Sequence, residues 1–143
     1  MSIPAGFRIL LVEPCEDFRT ILTILLDLAG CEVRSAGDST TGLAIARVFQ
    51  PDMVLTELVG VGGLEIARQL NSIPEAKDTY VVALTSLYRS GIEAEAVKAG
   101  FTKYMLKPTS FDSQVQALTT LATLRGKKLQ LCNFVSPSAG LLQ

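Results

Sequence analysis

Five short apolar runs alternate with helix-patterned segments along these 143 residues. That alternation constrains the fold more than any other feature of the chain. Arg8-Ile9-Leu10-Leu11-Val12, ended by Glu13-Pro14, reads as a buried strand. From Asp17 to Ala29 the period changes: Phe18, Ile21, Leu22 and Leu25 fall at helical spacing and Gly30 marks a stop. Cys31 to Ala36 is a second strand, and Asp38 or Ser39 caps a helix carrying Leu43, Ala46 and Val48-Phe49. Gln50-Pro51-Asp52 breaks it. Met53-Val54-Leu55 opens a third strand that ends near Glu57, and Gly60, Gly62 and Gly63 form a loop before a helix with Leu64, Ala67, Arg68 and Leu70. Tyr80 to Leu84 is the clearest strand. A weaker helix spans about Ser90 to Ala99, Lys103 to Leu106 is the fifth strand, and Thr109 or Ser110 caps a last helix with Phe111, Val115, Leu118 and Ala122 on one face.

Strands alternating with helices in this way predict an α/β fold: a doubly wound, five-stranded parallel sheet with helices on both faces and right-handed crossovers. Sites in such sheets form at the carboxyl ends of the strands, where the strand order reverses. Those ends are Glu13, Glu57, Thr85 and Lys107, each a polar residue after an apolar run. One domain is expected over residues 1–125. Residues 126–143, with Ser136, Pro137, Ser138 and Gly140, read as a C-terminal tail in which Leu129, Leu131 and Phe134 offer apolar contacts.

Composition narrows the function classes. With 13 basic and 14 acidic residues there is no electrostatic footprint for nucleic acid, and Lys127-Lys128 reads as a solvated helix end. The absence of histidine excludes His-based catalysis and His-ligated metal. Cys15, Cys31 and Cys132 lie far apart, as expected of reduced thiols in a cytoplasmic protein. No stretch reads as a signal peptide or a membrane span.

Several motifs in order resemble the receiver domains of two-component response regulators. They are Leu11-Val12-Glu13 with Arg19, Pro51-Asp52-Met53-Val54-Leu55-Thr56-Glu57, Gly63-Leu64-Glu65, Ala83-Leu84-Thr85-Ser86, Ala99-Gly100-Phe101 and Tyr104-Met105-Leu106-Lys107-Pro108. The resemblance covers roughly residues 7–124. It implies a flavodoxin-like sheet with strand order 2-1-3-4-5. It also implies two acidic residues holding Mg²⁺ after the first strand, a phospho-accepting aspartate ending the third, a Ser or Thr after the fourth and a lysine after the fifth. Magnesium in such a site shields carboxylate from phosphate.

The chain departs from that pattern at two critical places. Glu57 stands at the phosphoacceptor position, and its extra methylene moves the carboxylate out of line for attack. Pro14 replaces the second acidic ligand, leaving Glu13 as the acidic-pocket residue. The loop after Glu57 is also about two residues shorter than the pattern and lacks its proline. Thr85 and Lys107 remain as equivalents of the phosphate pocket, and Tyr104 stands at the switch aromatic. Each has a plainer reading: Thr85 a strand end, Tyr104 a core aromatic, Lys107-Pro108 a turn, Glu16 and Asp17 partners of a helix dipole. Ser39-Thr40-Thr41-Gly42 follows the second strand rather than the first, so it reads as a helix cap and not as a phosphate loop.

The expected function is signal transduction by protein–protein contact, independent of phosphorylation, with no catalytic residue, no metal ligand set and no cofactor. Glu57 would pair with Lys107, imitating the phosphorylated state, or else be solvated in a dead site. The alternatives are a working Mg²⁺-dependent phospho-acceptor and a flavodoxin-like ligand binder. A protein partner, or a second copy in a homodimer, is expected on the fourth helix, fifth strand and last helix, where Tyr88, Tyr104 and Met105 offer contact.

Overall fold

A computed structural model of the chain describes residues 6–107. In order, these form β1 (Arg8–Val12), α1 (Glu16–Leu28), β2 (Glu32–Ala36), α2 (Ser39–Phe49), β3 (Met53–Thr56), α3 (Gly63–Asn71), a 3-10 turn (Pro74–Ala76), β4 (Tyr80–Thr85), α4 (Ile92–Ala99) and β5 (Lys103–Leu106). The five strands make one parallel sheet in the order β2-β1-β3-β4-β5, as expected. The last helix from Thr109 or Ser110 with Phe111, Val115, Leu118 and Ala122, the Lys107-Pro108 bond, Cys132 and the boundary between 1–125 and 126–143 all lie outside the described residues.

The central strands are apolar without interruption because both faces of the sheet are covered. Every residue of β3 and β4 is buried. Successive side chains go to opposite faces. Ile9, Leu11, Met53, Leu55, Val82 and Leu84 meet Leu22 and Leu26 of α1. Leu10, Val12, Val54, Val81 and Ala83 meet Ala46, Ile66, Ala67, Leu70, Ile92 and Ala96 of α2, α3 and α4. Strand β2 lies at the sheet's edge and is only partly buried, hence its polar sequence Glu-Val-Arg-Ser-Ala.

Several local expectations shift. α1 begins at Glu16, and its buried pair is Leu22 and Leu26, whereas Ile21 is 44% exposed. Val48 is 87% exposed, so α2 turns Gly42, Ala46 and Phe49 inward instead. Asp38 rather than Ser39 is the cap of α2, its carboxylate accepting from Thr41 N–H at 2.8 Å. The fourth helix starts only at Ile92, because Gly91 takes a left-handed conformation at its start. The 3-10 turn at Pro74 has no periodicity to announce it. Among the described residues, no helix is long and apolar enough to cross a membrane.

Val54 and Val82 are fully buried in adjacent central strands, one facing each core. Truncating either to alanine is expected to cost about 1–3 kcal/mol, from lost burial and an unfilled cavity. Chemical denaturation of the single variants checks this; an unchanged midpoint in both would contradict the packing.

Candidate functional site

Glu13, Glu57, Thr85 and Lys107 converge at the carboxyl edge of the sheet because β1, β3, β4 and β5 are parallel and end at one level. The backbone locks the strand ends together: Glu57 N–H bonds Val12 O at 2.9 Å and Lys107 N–H bonds Thr85 O at 2.7 Å. The Lys107 ammonium lies between two carboxylates, 2.6 Å from Glu13 Oε1 and 3.1 Å from Glu57 Oε1. All three side chains are withdrawn from water, with 16%, 4% and 7% exposure for Lys107, Glu13 and Glu57. The third wall is Phe18, whose ring centroid is 4.1 Å from the ammonium, so the lysine also meets an aromatic face.

Two carboxylates facing one cation leave a negative charge to be balanced, and backbone and hydroxyl donors supply the balance. Glu13 Oε2 accepts from Cys15 N–H at 2.9 Å. Glu57 Oε2 accepts from Leu58 N–H at 2.7 Å and Val59 N–H at 3.2 Å. Burial pushes the Glu57 carboxyl upward, but hydrogen bonds from Thr85, Val59, Lys107 and Leu58 outweigh it and hold it below the usual carboxylate range. Glu57 is therefore charged at neutral pH.

A short hydrogen-bond chain runs beside this pocket. Thr85 stands next to the Glu57 carboxyl and helps to lower its pKa. Its hydroxyl oxygen accepts from Leu87 N–H at 3.0 Å. Leu87 O in turn accepts the Tyr104 hydroxyl. Burial, reinforced by the Glu93 and Glu57 charges, raises the Tyr104 pKa, so it remains a donor. Tyr104 is thus half-buried and tied to the segment between β4 and α4, while Met105 is in the core at 1% exposure and offers no outward contact. Tyr88, at 68% exposed, is on the surface.

Contributors not singled out as site residues from the sequence are Phe18, the backbone N–H groups of Cys15, Leu58 and Val59, and Gly63. A side chain at Gly63 would place its Cβ 2.3 Å from Glu57 O and 2.9 Å from Leu58 Cα. The start of α3 packs directly on the backbone that carries Glu57, and only glycine fits there. The Gly60-Gly62-Gly63 cluster was the available signal. Arg19 also has a structural task, donating to Glu13 O at 2.7 Å and so tying α1 to the end of β1.

The donor set does not fit Mg²⁺. Both Glu13 oxygens are engaged, Glu57 is engaged, Pro14 has no donor, and Glu16 and Asp17 are exposed in the first turn of α1. No group of three His, Cys, Asp or Glu residues suited to a metal occurs among the described residues. Of the cysteines described, Cys15 and Cys31 are free thiols, and burial pushes Cys31 up to about 11.

The response regulator receiver domain family matches residues 9–119. PilH of Pseudomonas aeruginosa is 31% identical over 83% of this chain and 98% of its own length. RpaA of Synechocystis, a DNA-binding transcriptional regulator, is 28% identical over 82% of this chain, which spans about half of it (49%). Among solved structures, the chemotaxis response regulator CheY4 of Vibrio cholerae superposes with a TM-score of 0.74 at 22% identity, covering 82% of this chain and 99% of that one, a likeness of fold.

Lys107→Met removes the only cation between two buried carboxylates in the described pocket. It is expected to cost about 3 kcal/mol at neutral pH. Because the folded pKa of Glu57 is lowered, its stabilising contribution is full above the unfolded carboxylate value of about 4.3 and is lost as pH falls through the folded value. The deficit of Lys107→Met relative to the parent should therefore shrink as pH falls below about 4. Urea midpoints from pH 7 to pH 3 test this, and a pH-independent deficit would contradict it.

Proposed function

The chain belongs to the response regulator receiver domain family, and we propose that within it this protein signals by binding a protein partner with its switch closed by Glu57 instead of by phosphate. The carrying observation is that Glu57 occupies the ligand positions of its own pocket. Lys107 and two backbone N–H groups, donors of the kind a phosphoryl group would draw on, are all turned to its carboxylate. Entry of a phosphoryl group would have to break that set, and no carboxylate pair is free to hold the Mg²⁺ that attack requires. One charge stands where an acyl phosphate would bring about two, so the imitation is partial.

In this reading the chain has no catalytic step, acts in the cytoplasm and uses no metal. The hydrogen-bond chain through Thr85, Leu87 and Tyr104 carries the state of the pocket to the surface around α4 and β5, where Tyr88 is the exposed anchor. The last helix, expected to share that surface, lies outside the described residues. A working Mg²⁺-dependent acceptor is the second reading. Its support is that Thr85 and Lys107 stand at their expected strand ends with Lys107 reaching the acceptor position.

Incubation with acetyl phosphate and Mg²⁺ is expected to give no phosphoryl adduct by intact mass, and millimolar Mg²⁺ (about the upper end of such affinities) no saturable spectroscopic response. Glu57→Asp should also stay unlabelled, because Pro14 and the engaged Glu13 still deny the metal a site. Rapid labelling of the unsubstituted chain would establish the second reading, and labelling of Glu57→Asp alone would show that Glu57 by itself silences the pocket. Glu57→Gln keeps the shape and leaves Glu13 on Lys107, so its stability cost should be on the order of 1 kcal/mol. It should nonetheless weaken capture of a partner, as should Tyr88→Ala; capture unaltered by either would remove the basis for this function.

A further inference from the structure

We propose that the open edge of β2 is a self-association surface whose partner is a second copy of this chain, paired antiparallel about Val33. Strand β2 bonds only to β1 among the described strands. Its inward bonds come from even-numbered residues: Glu32 N–H bonds Phe7 O and Ala36 O accepts Glu13 N–H. Backbone groups alternate in direction along a strand, so the N–H and C=O of Val33 and Ser35 point to the open side. An antiparallel neighbour centred on Val33 would exchange both bonds between the two Val33 residues, and Ser35 N–H would reach the Cys31 carbonyl of the second copy.

Charge selects this register. Glu32 and Arg34 are two residues apart and line the same groove on the α2 side. In the register centred on Val33, each Glu32 lies directly opposite the other copy's Arg34, in the closer, non-hydrogen-bonded type of pair. Both residues have capacity for it. Glu32 uses only Oε1, for Arg8 at 3.2 Å, and Arg34 has no carboxylate partner among the described residues. The Arg34 guanidinium is held by stacking 4.9 Å from the Phe49 ring, so its position is set in advance. Edge charges ordinarily block pairing with other strands. A Glu-x-Arg edge rejects most strands but is self-complementary in this one arrangement, which closes as a two-fold dimer.

The groove beside the edge supports the same partner. It has a volume of about 530 Å³ and is lined by Ala44, Ile45, Val48 and Phe49 as well as the charged residues. Val48 is the most exposed large apolar residue described. The Phe49 ring takes the guanidinium groups of both Arg34 and Arg8, and Arg8 is in register with Glu32, so this end of α2 lies beside the first half of β2, where Val33 stands. A two-fold axis through Val33 therefore brings the two Val48 side chains toward each other and covers them.

Sedimentation of the full chain should pass from monomer to dimer mass between about 1 and about 100 μM, the weak range suited to a small interface. Arg34→Glu and Glu32→Arg, each alone, set like charges opposite each other and should remain monomeric. An equimolar mixture of the two restores opposite charges at both positions and should sediment as a heterodimer. Ser35→Pro removes an outward N–H without touching the β1 ladder, so it should be monomeric with unchanged circular dichroism. Three results would each overturn the proposal: a parent chain monomeric throughout the range, dimers surviving in Ser35→Pro, or folded charge variants that fail to associate on mixing.

Discussion

A parallel sheet must be covered on both faces, and the rest of this molecule follows from that requirement. Parallel neighbours cannot be joined by a tight hairpin, so each strand is followed by a crossover, and the crossovers supply the helices that cover the sheet. The same connectivity brings every strand out on one side. Strands β1, β3, β4 and β5 all end there, at Glu13, Glu57, Thr85 and Lys107, and the lysine reaches both carboxylates. The pocket is thus a by-product of how the sheet is covered, and its rigidity comes from strands that are almost completely buried.

Electrostatics then decides what the pocket can do. A lysine between two carboxylates is stable only if the surplus negative charge is solvated by something other than water. Here the solvation is supplied by the N–H groups of Cys15, Leu58 and Val59, the Thr85 hydroxyl and the face of Phe18. These donors are positioned by the polypeptide itself. The loop after Glu57 contributes directly. It turns two amides onto the carboxylate and brings Gly63 against the backbone that bears it.

The two ends of the sheet contrast in how they treat exposed polar backbone. Among the described residues β2 pairs on one side only, and its edge is marked with charges of opposite sign. An edge of this kind is selective, because its side-chain pattern admits few neighbours while its amides stay available. At the strand ends Lys107 and the N–H groups of Cys15, Leu58 and Val59 turn to the two carboxylates.

Much of the fold was determined by the sequence alone. The uninterrupted apolar runs at β1, β3, β4 and β5, with glycines and polar breaks between them, allowed the strands, their parallel arrangement and the four polar strand ends to be read directly, since strand and helix periods differ and burial leaves its period in the sequence. Helix boundaries and faces were less legible: Ile21 and Leu26 exchanged roles in α1 and Val48 turned outward, because an amphipathic stripe can be rotated by a residue and still satisfy periodicity. What only the tertiary structure decided is how the polar ends are shared. No linear pattern states that Lys107 divides itself between Glu13 and Glu57, that Phe18 closes the pocket, or that Met105 faces the core while Tyr104 reaches back to Leu87. Those contacts join residues as many as 94 positions apart. They depend on ångström-scale distances set by strand register and loop length, and such distances exist only once the sheet has formed.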